Sequence, residues 1–147
     1  MAGYKAPFRM HDGCAMIQAD SLKRALAAVE AALEKKAYDL VVLQVEHLSS
    51  IAEYFLIATG RSDVQVQAIA RGIEERMAVE DSRPLSIEGL QHGHWVVLDY
   101  DDVVVHVFFE PVRDFYRLDS NWTDAREVSL PEPFRSQARD LTLRALG

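Results

Sequence analysis

HWVVLDYDDVVVHVFF, residues 94–109, is the stretch of sequence that decides the fold. It contains two valine-rich segments separated only by Asp101 and Asp102, which is the length of a tight β-hairpin turn. If the two aspartates form that turn, the register of the antiparallel pair is fixed and Trp95 faces Phe108. A turn that requires positive φ accepts aspartate less readily than glycine, so we expect another turn type at this position.

Side chains alternate between the two faces of a strand, so this register separates two kinds of surface. One face is almost entirely aliphatic and suits packing beneath helices. Its residues are Val96, Leu98, Tyr100, Val103, Val105 and Val107. The other face, which we call the mixed face, combines aromatic with ionisable groups, a combination that a structural core seldom selects. Its residues are Trp95, Val97, Asp99, Val104, His106 and Phe108. We expect the mixed face to be the working surface.

The sequence on either side predicts an α/β domain around the hairpin. Residues 39–45 and 54–59 are nearly continuous apolar runs, typical of buried strands. A first helix is predicted to begin at Asp20 or Ser21, and another to open at Pro111. Between them, a second helix is indicated by an apolar stripe at helical spacing. The stripe consists of Val66, Ile69, Ile73 and Met77.

The ends of the chain look different from its middle. Residues 1–19 show no helical or strand periodicity, which predicts a flexible N-terminal leader. Residues 20–125 form the predicted domain. Residues 126–147 contain Pro131 and Pro133 before a possible short helix, so we expect a peripheral, partly mobile C-terminal extension.

The composition limits the possible functions. A chain of 147 residues with 49% apolar and 27% charged content suits one compact domain. No stretch approaches the roughly 20 apolar residues of a membrane span, and no secretion signal opens the chain, so we expect a soluble, cytoplasmic protein. Cys14 is the only cysteine, so an internal disulfide is excluded.

The charge balance bears on partners. With 23 acidic and 16 basic residues, the formal net charge of −7 repels the nucleic-acid phosphate backbone. We therefore expect little direct nucleic-acid binding. A basic protein would instead be steered toward this acidic chain.

Residues 59–62, Thr-Gly-Arg-Ser, allow two interpretations. They could form a phosphate site at the start of the second helix, or a tight turn in which Ser62 caps the helix together with Gln65. We favour the cap, because no P-loop lysine follows. A metal-dependent nucleotidyltransferase would have to combine Ser62 with Asp99 and Asp101, which lie far downstream. No histidine spacing indicates a metal site.

Individual residues of the mixed face also have alternative roles. His106 could pair diagonally with Asp99 across roughly 7–8 Å as a catalytic base, but no nucleophile lies beside them. A structural or partner-contacting histidine is favoured. Trp95 suits a core or a contact position equally, and Arg113 and Tyr116 could simply belong to a solvated helix face.

Several segments, in this order, resemble the ribosomal silencing factor (Iojap-like) family over about residues 21–125. They are YFLIATGRSD at 54–63, Glu88-Gly89, WVVLDY at 95–100, DVVVHVF at 102–108, and then Arg113, Phe115-Tyr116, Leu118 and Trp122. Each is weak alone, and the conjunction is specific. The family adds weight to Arg113 and Tyr116 as functional residues.

The resemblance implies a single mixed β-sheet flanked by helices, similar to a nucleotidyltransferase fold, and often a homodimer. It implies binding to the large ribosomal subunit through ribosomal protein uL-fourteen, which blocks joining of the small subunit and represses translation when nutrients are scarce. No catalysis, cofactor or metal is expected. Alternatives are a large-subunit assembly factor and the nucleotidyltransferase. The expected partner-binding residues are Trp95, Asp99, Tyr100, His106, Phe108, Arg113 and Tyr116.

Overall fold

The computed structural model describes the backbone of residues 12–45, 52–116 and 125–146, and the side chains of 20–45, 52–113 and 125–145. Helices and strands alternate irregularly within these ranges. In chain order they are α1 (Asp12–Glu34), β1 (Tyr38–Gln44), β2 (Tyr54–Gly60), α2 (Asp63–Val79), β3 (Ser86–Glu88), β4 (Trp95–Asp99), β5 (Val103–Phe109), α3 (Glu110–Tyr116), β6 (Arg126–Glu127) and α4 (Phe134–Leu146). No described helix is both long and apolar enough to cross a membrane.

The strands form one mixed sheet in the order β3-β4-β5-β2-β1-β6. The central pair, β2 and β5, is parallel, and every other neighbouring pair is antiparallel. The connection from β2 to β5 contains α2, β3 and β4, and α2 returns the chain to the same end of the sheet. The prediction of an α/β domain built on a mixed sheet is confirmed.

The hairpin has the predicted register. Trp95 pairs with Phe108 and Val97 with His106. Its turn is neither of the usual two-residue types, because the Asp102 N–H donates to the Tyr100 carbonyl two residues back (3.0 Å) and φ of the intervening Asp101 is 76°. The turn is therefore of another type, as expected, but the reason for expecting it is wrong, because Asp101 itself adopts positive φ. The Asp101 N–H also donates to Oδ1 of Asp99 (2.8 Å), which supports this conformation locally.

Helices α1 and α2 cover the aliphatic face and form the main core with it. All four residues of the predicted α2 stripe are fully buried, and so is the aliphatic side of the hairpin. Helix α1 contributes mainly alanines, including Ala25, Ala28 and Ala32, each 0% exposed. Small side chains let a helix approach its neighbours closely, so this layer is thin and tightly packed.

The predicted start of α1 is wrong. The helix begins at Asp12, not at Asp20 or Ser21, so the last part of the predicted leader is helical. Ser21 does not cap a helix. It is fully buried, and its hydroxyl donates to Oδ2 of Asp102 in the hairpin turn (2.6 Å), where Arg24 also pairs with Asp102 (3.0 Å). Ser21, which the local sequence suggested as a helix cap, therefore forms a tertiary hydrogen bond with Asp102 instead.

The C-terminal extension contains the expected helix, and it packs against the domain. Strand β6 pairs with β1, and α4 packs against β1 and α1. The Thr142 hydroxyl accepts a hydrogen bond from the Asp39 N–H (2.9 Å), and Nη2 of Arg61 donates to the Ala145 carbonyl (2.8 Å). These contacts, with the burial of Ala138, fix the last helix along the β1 edge of the sheet.

Candidate partner-binding face

The mixed face extends across the whole sheet. The register aligns Glu88 of β3, Val97 of β4, His106 of β5 and Ile57 of β2 in one row, because paired residues share a face. Helices α1 and α2 lie on the opposite side. Among the described elements, α3 packs on the mixed side through Val112, at one end. The centre of the face, which includes Ile57, Val104 and Phe108, is buried in a second hydrophobic cluster, and its partly exposed side chains include Trp95 and Asp99 of β4. Glu88 on β3 adds an acidic side chain at the margin.

An aromatic cluster occupies the centre of the mixed face. The Trp95 ring stacks on Phe108 with 5.0 Å between ring centroids, and Phe55 packs at 5.0 Å from His106. Nε1 of Trp95 donates a hydrogen bond to Nδ1 of His106 (3.2 Å). Trp95 and Phe55 remain partly exposed, whereas Phe108 is fully buried. The cluster therefore presents two aromatic edges on a buried base, a common form for an interface anchor.

His106 is a structural member of this cluster. Since its Nδ1 accepts from Trp95, the ring proton lies on Nε2, which is buried and has no hydrogen-bond partner. Burial lowers the pKa of His106 to about 4, so the ring is neutral near pH 7. A buried Nε2 that carries the proton cannot act as a general base, so the geometry does not support the catalytic pairing with Asp99.

Asp99 and Glu88 supply the negative charge of the face. Asp99 is half-buried at the end of β4, where Oδ1 accepts from the Asp101 N–H. Glu88 is exposed on the edge strand, beside Val97. An apolar centre with charged side chains at its margin is the usual anatomy of a protein interface.

Two of the predicted contact residues, Tyr100 and Arg113, are buried in structural positions. Tyr100 is 2% exposed and packs in the core beneath the helices, on the opposite face of the sheet. Arg113 is 6% exposed, and its Nη1 donates to the Asp39 carbonyl and to Oγ1 of Thr59 (2.7 Å). It therefore joins α3 to β1 and β2. The side chain of Tyr116 lies outside the described residues, as do residues 117–124, which include Leu118 and Trp122.

The residues of the nucleotidyltransferase hypothesis do not come together. The Asp102 carbonyl accepts from the N–H groups of Glu53 and Tyr54, which places the hairpin turn at the start of β2. Ser62 follows the end of that seven-residue strand, about 20 Å away at 3.3 Å per residue. Oγ of Ser62 caps α2 by accepting from the Gln65 N–H (3.1 Å), as the cap interpretation predicts. Within the described ranges, no three His, Cys, Asp or Glu residues could hold a metal ion.

Sequence reasoning missed the contribution of Phe55 and Glu88 to this face. Each carried a local signal, because Phe55 lies in a predicted strand and Glu88 belongs to the Glu88-Gly89 segment of the family resemblance. What the local sequence lacked was the partner strand. The parallel pairing of β2 with β5 connects residues about fifty positions apart and cannot be deduced from periodicity.

The fold and the site define a two-layer α/β protein that carries an aromatic sheet face with acidic side chains at its margin. Comparison with known proteins assigns a family. The family model described as "Ribosomal silencing factor during starvation" matches residues 18–144, and the chain belongs to this family. The match extends past residue 125, consistent with the packing of β6 and α4 on the domain.

Relatives and solved structures agree with this assignment. The ribosomal silencing factor RsfS of Bacillus subtilis is 43% identical over 110 residues, which cover 75% of this chain and 91% of that protein. The chloroplastic protein Iojap of Arabidopsis thaliana is 33% identical, over 83% of this chain and 51% of its own. A crystal structure of a Chromobacterium violaceum protein has a TM-score of 0.68 at 32% identity, covering 69% of this chain and 85% of the other. The recognised family and the fold class predicted from sequence are confirmed.

Proposed function

We propose that the protein binds the large ribosomal subunit through ribosomal protein uL-fourteen and sterically blocks joining of the small subunit. Translation would thereby be repressed under nutrient limitation or in stationary phase. Membership of the silencing-factor family supports the general role. The role is one of binding, without catalysis, metal or cofactor.

The observation that carries the docking site is the mixed face. A partly exposed tryptophan at the start of β4, Trp95, stands on the buried ring of Phe108, and Asp99 and Glu88 provide negative charge on the same face. Tryptophan is among the residues most enriched in the energetic centres of interfaces. Negative charge at the margin favours a basic partner, such as a protein that lies on ribosomal RNA.

Exposure divides the candidate residues by role. Trp95 and Asp99 are accessible enough to touch a partner. His106 and Phe108 are buried and act by positioning the tryptophan ring. Arg113 acts through the fold, by joining α3 to the sheet.

Sedimentation with separated ribosomal subunits tests the proposal. We expect the wild type to travel with the large subunit alone. The Trp95→Ala variant should bind about thirtyfold more weakly or worse, as expected when a central aromatic anchor is removed. Its unfolding midpoint should be measured in parallel, because Trp95 also stacks on Phe108.

Two charge-reversal variants distinguish a contact at the mixed face from a general effect of the net charge of the protein. Glu88→Lys changes the margin of the mixed face, and Glu75→Lys makes the same change on the exposed side of α2. We expect Glu88→Lys to weaken binding by about threefold to tenfold and Glu75→Lys to have little effect. Equal effects of the two would refute the mixed-face assignment, and a wild type that ignores the large subunit would refute the function.

Subunit joining is a separate measurement. Light scattering of mixed subunits should show less joining as the protein is added, and the Trp95→Ala variant should restore it. Binding without any effect on joining would favour the assembly-factor alternative. The homodimer that the family suggests is tested by sedimentation equilibrium of the free protein, which should give twice the chain mass of 16.6 kDa.

A further inference from the structure

A cleft of about 250 Å³ lies away from the mixed face, where the end of α1, the β2–α2 loop and α4 meet. Its lining includes three cationic residues from these three elements, namely Lys36, Arg61 and Arg144. None of the described lining residues is acidic. In a chain of net charge −7, such a convergence of positive charge is a local exception that calls for an anionic occupant.

The guanidinium of Arg61 is held in place at the cleft. Nη2 donates to the Ala145 carbonyl (2.8 Å), and its Cζ lies 5.8 Å from the centroid of the Tyr38 ring. One of five N–H groups is accounted for by that hydrogen bond, so others can serve a ligand. A fixed arginine loses little conformational freedom on binding, which favours recognition of an oxyanion.

Tyr38 is the aromatic part of the cleft lining. The residue is 6% exposed, and its ring lies against the Arg61 guanidinium. Burial, and after it the Glu110 carboxylate beside the hydroxyl, raise the pKa of Tyr38, so the hydroxyl stays protonated and points no negative charge at the cleft. The contact with the neutral ring helps to hold the Arg61 guanidinium in place.

The backbone at the start of α2 is not the anion site that residues 59–62 suggested. Side chains already accept from its N–H groups: Oγ of Ser62 from Gln65, Oδ1 of Asp63 from Val64, and Oε1 of Gln65 from Arg61. Any anion must therefore be bound by the side chains that line the cleft. The backbone N–H groups at the start of α2 already have side-chain acceptors, and the cationic side chains of the cleft lie nearby.

We propose that this cleft binds the phosphate group of a small phosphorylated compound, such as a nucleotide. A small ligand fits better than RNA, because the net charge of the chain repels a long polyanion while the cleft has room for only one or two phosphates. The site lies on the helical side of the sheet, so a ligand here would leave the mixed face free.

Titration calorimetry with inorganic pyrophosphate, at constant ionic strength, tests the site. We expect saturable binding by the wild type and about tenfold weaker binding by Arg144→Gln, which removes one charge-assisted contact. Arg144 pairs with Asp140 only at 3.4 Å in an exposed position, so its replacement should leave the fold intact. Arg71→Gln is the matched control, because Arg71 is an exposed arginine of α2 that does not line the cleft.

The outcomes separate clearly. No saturable heat with pyrophosphate, or equal weakening in Arg71→Gln and Arg144→Gln, would overturn the site. Tighter binding of a ten-nucleotide single-stranded RNA than of pyrophosphate, lost in Arg144→Gln, would overturn the assignment to a small ligand. Sedimentation of Arg144→Gln with the large subunit should equal that of wild type, so this test stands apart from the proposed ribosomal function.

Discussion

Replacing Arg113 by methionine should destabilise the fold rather than remove a partner contact. The guanidinium is 6% exposed and donates from Nη1 to the Asp39 carbonyl and to the buried Thr59 hydroxyl. Methionine keeps much of the side-chain length but offers no donor. The acceptors at the ends of β1 and β2 would then lose their partner together.

The expected loss can be worked from these contacts. A buried group left without its partner costs about 1–3 kcal/mol, and Thr59 is 2% exposed, so its full cost applies. Water can partly replace the arginine at Asp39, whose side chain is 57% exposed, and the 3.7 Å ion pair to that carboxylate adds little. We therefore expect the free energy of unfolding to fall by about 2–4 kcal/mol.

Urea denaturation followed by circular dichroism at 222 nm measures this change. Arg135→Met is the matched control, because the Arg135 side chain is 62% exposed and pairs with Glu132 within α4 and the turn before it. The control should alter the free energy of unfolding by less than about 0.5 kcal/mol. Both variants should keep the wild-type dependence of the unfolding free energy on urea, since the same surface is exposed on unfolding.

A clear result would refute this structural role. If Arg113→Met unfolds within about 0.5 kcal/mol of wild type, the hydrogen bonds of Arg113 do not stabilise the fold. If that stable variant also fails to sediment with the large subunit, Arg113 is a contact residue, as its family position suggested. Loss of stability together with loss of binding would leave the structural assignment standing.

Three other substitutions test separate features of the fold. Gly89→Ala should lower the free energy of unfolding by at least about 2 kcal/mol, because φ is 83° and a Cβ would lie 2.0 Å from the Trp95 carbonyl oxygen. Its control is Gly72→Ala in α2, where the nearest atom belongs to a flexible lysine side chain. That variant should be neutral or stabilising by up to about 1 kcal/mol. Ser21→Ala should cost about 1–2 kcal/mol, since it removes a 2.6 Å hydrogen bond from a fully buried hydroxyl to a carboxylate, and thermal unfolding would show it. His106 has a folded-state pKa of about 4, below the ordinary 6.5, so neutral His106 favours the folded state above pH 6.5 and this contribution is lost as pH falls toward 4. Over that pH range, the free energy of unfolding should fall by about 3 kcal/mol more in the wild type than in His106→Asn. Parallel pH profiles of the two proteins in denaturation experiments would contradict this prediction.

Local patterns predicted much of the fold. Two-residue alternation and a two-residue gap gave the hairpin register and the composition of both its faces, because strand pairing across a short turn depends only on neighbouring sequence. The α2 stripe and the Ser62 cap were equally local. Features of this kind need no knowledge of the rest of the chain.

The errors fall where tertiary contacts decide. Strand β6 has two residues and β3 has three, too few for any periodicity, and each exists because a longer neighbour offers free backbone groups. Helix α4 was predicted as a possible helix, but its packing depends on Thr142 and Ala145 meeting residues about a hundred and about eighty positions earlier. The predicted register puts Tyr100 on the aliphatic face, which packs beneath the helices, so its predicted role as a partner contact conflicts with its predicted position.

The burial of each residue also determines which substitutions can test the proposed ribosome-binding surface. Changes at Phe108 or Arg113 would reduce binding through the fold even if neither residue met a partner, because both are buried. Trp95→Phe is sharper: phenylalanine can keep the stack on Phe108 but removes the indole N–H that now donates to His106. Since that donor already has a partner inside the protein, a ribosomal partner should use the partly exposed ring rather than the N–H. Trp95→Phe should therefore retain most of the binding that Trp95→Ala loses, and equal losses would mean that the indole nitrogen itself is recognised.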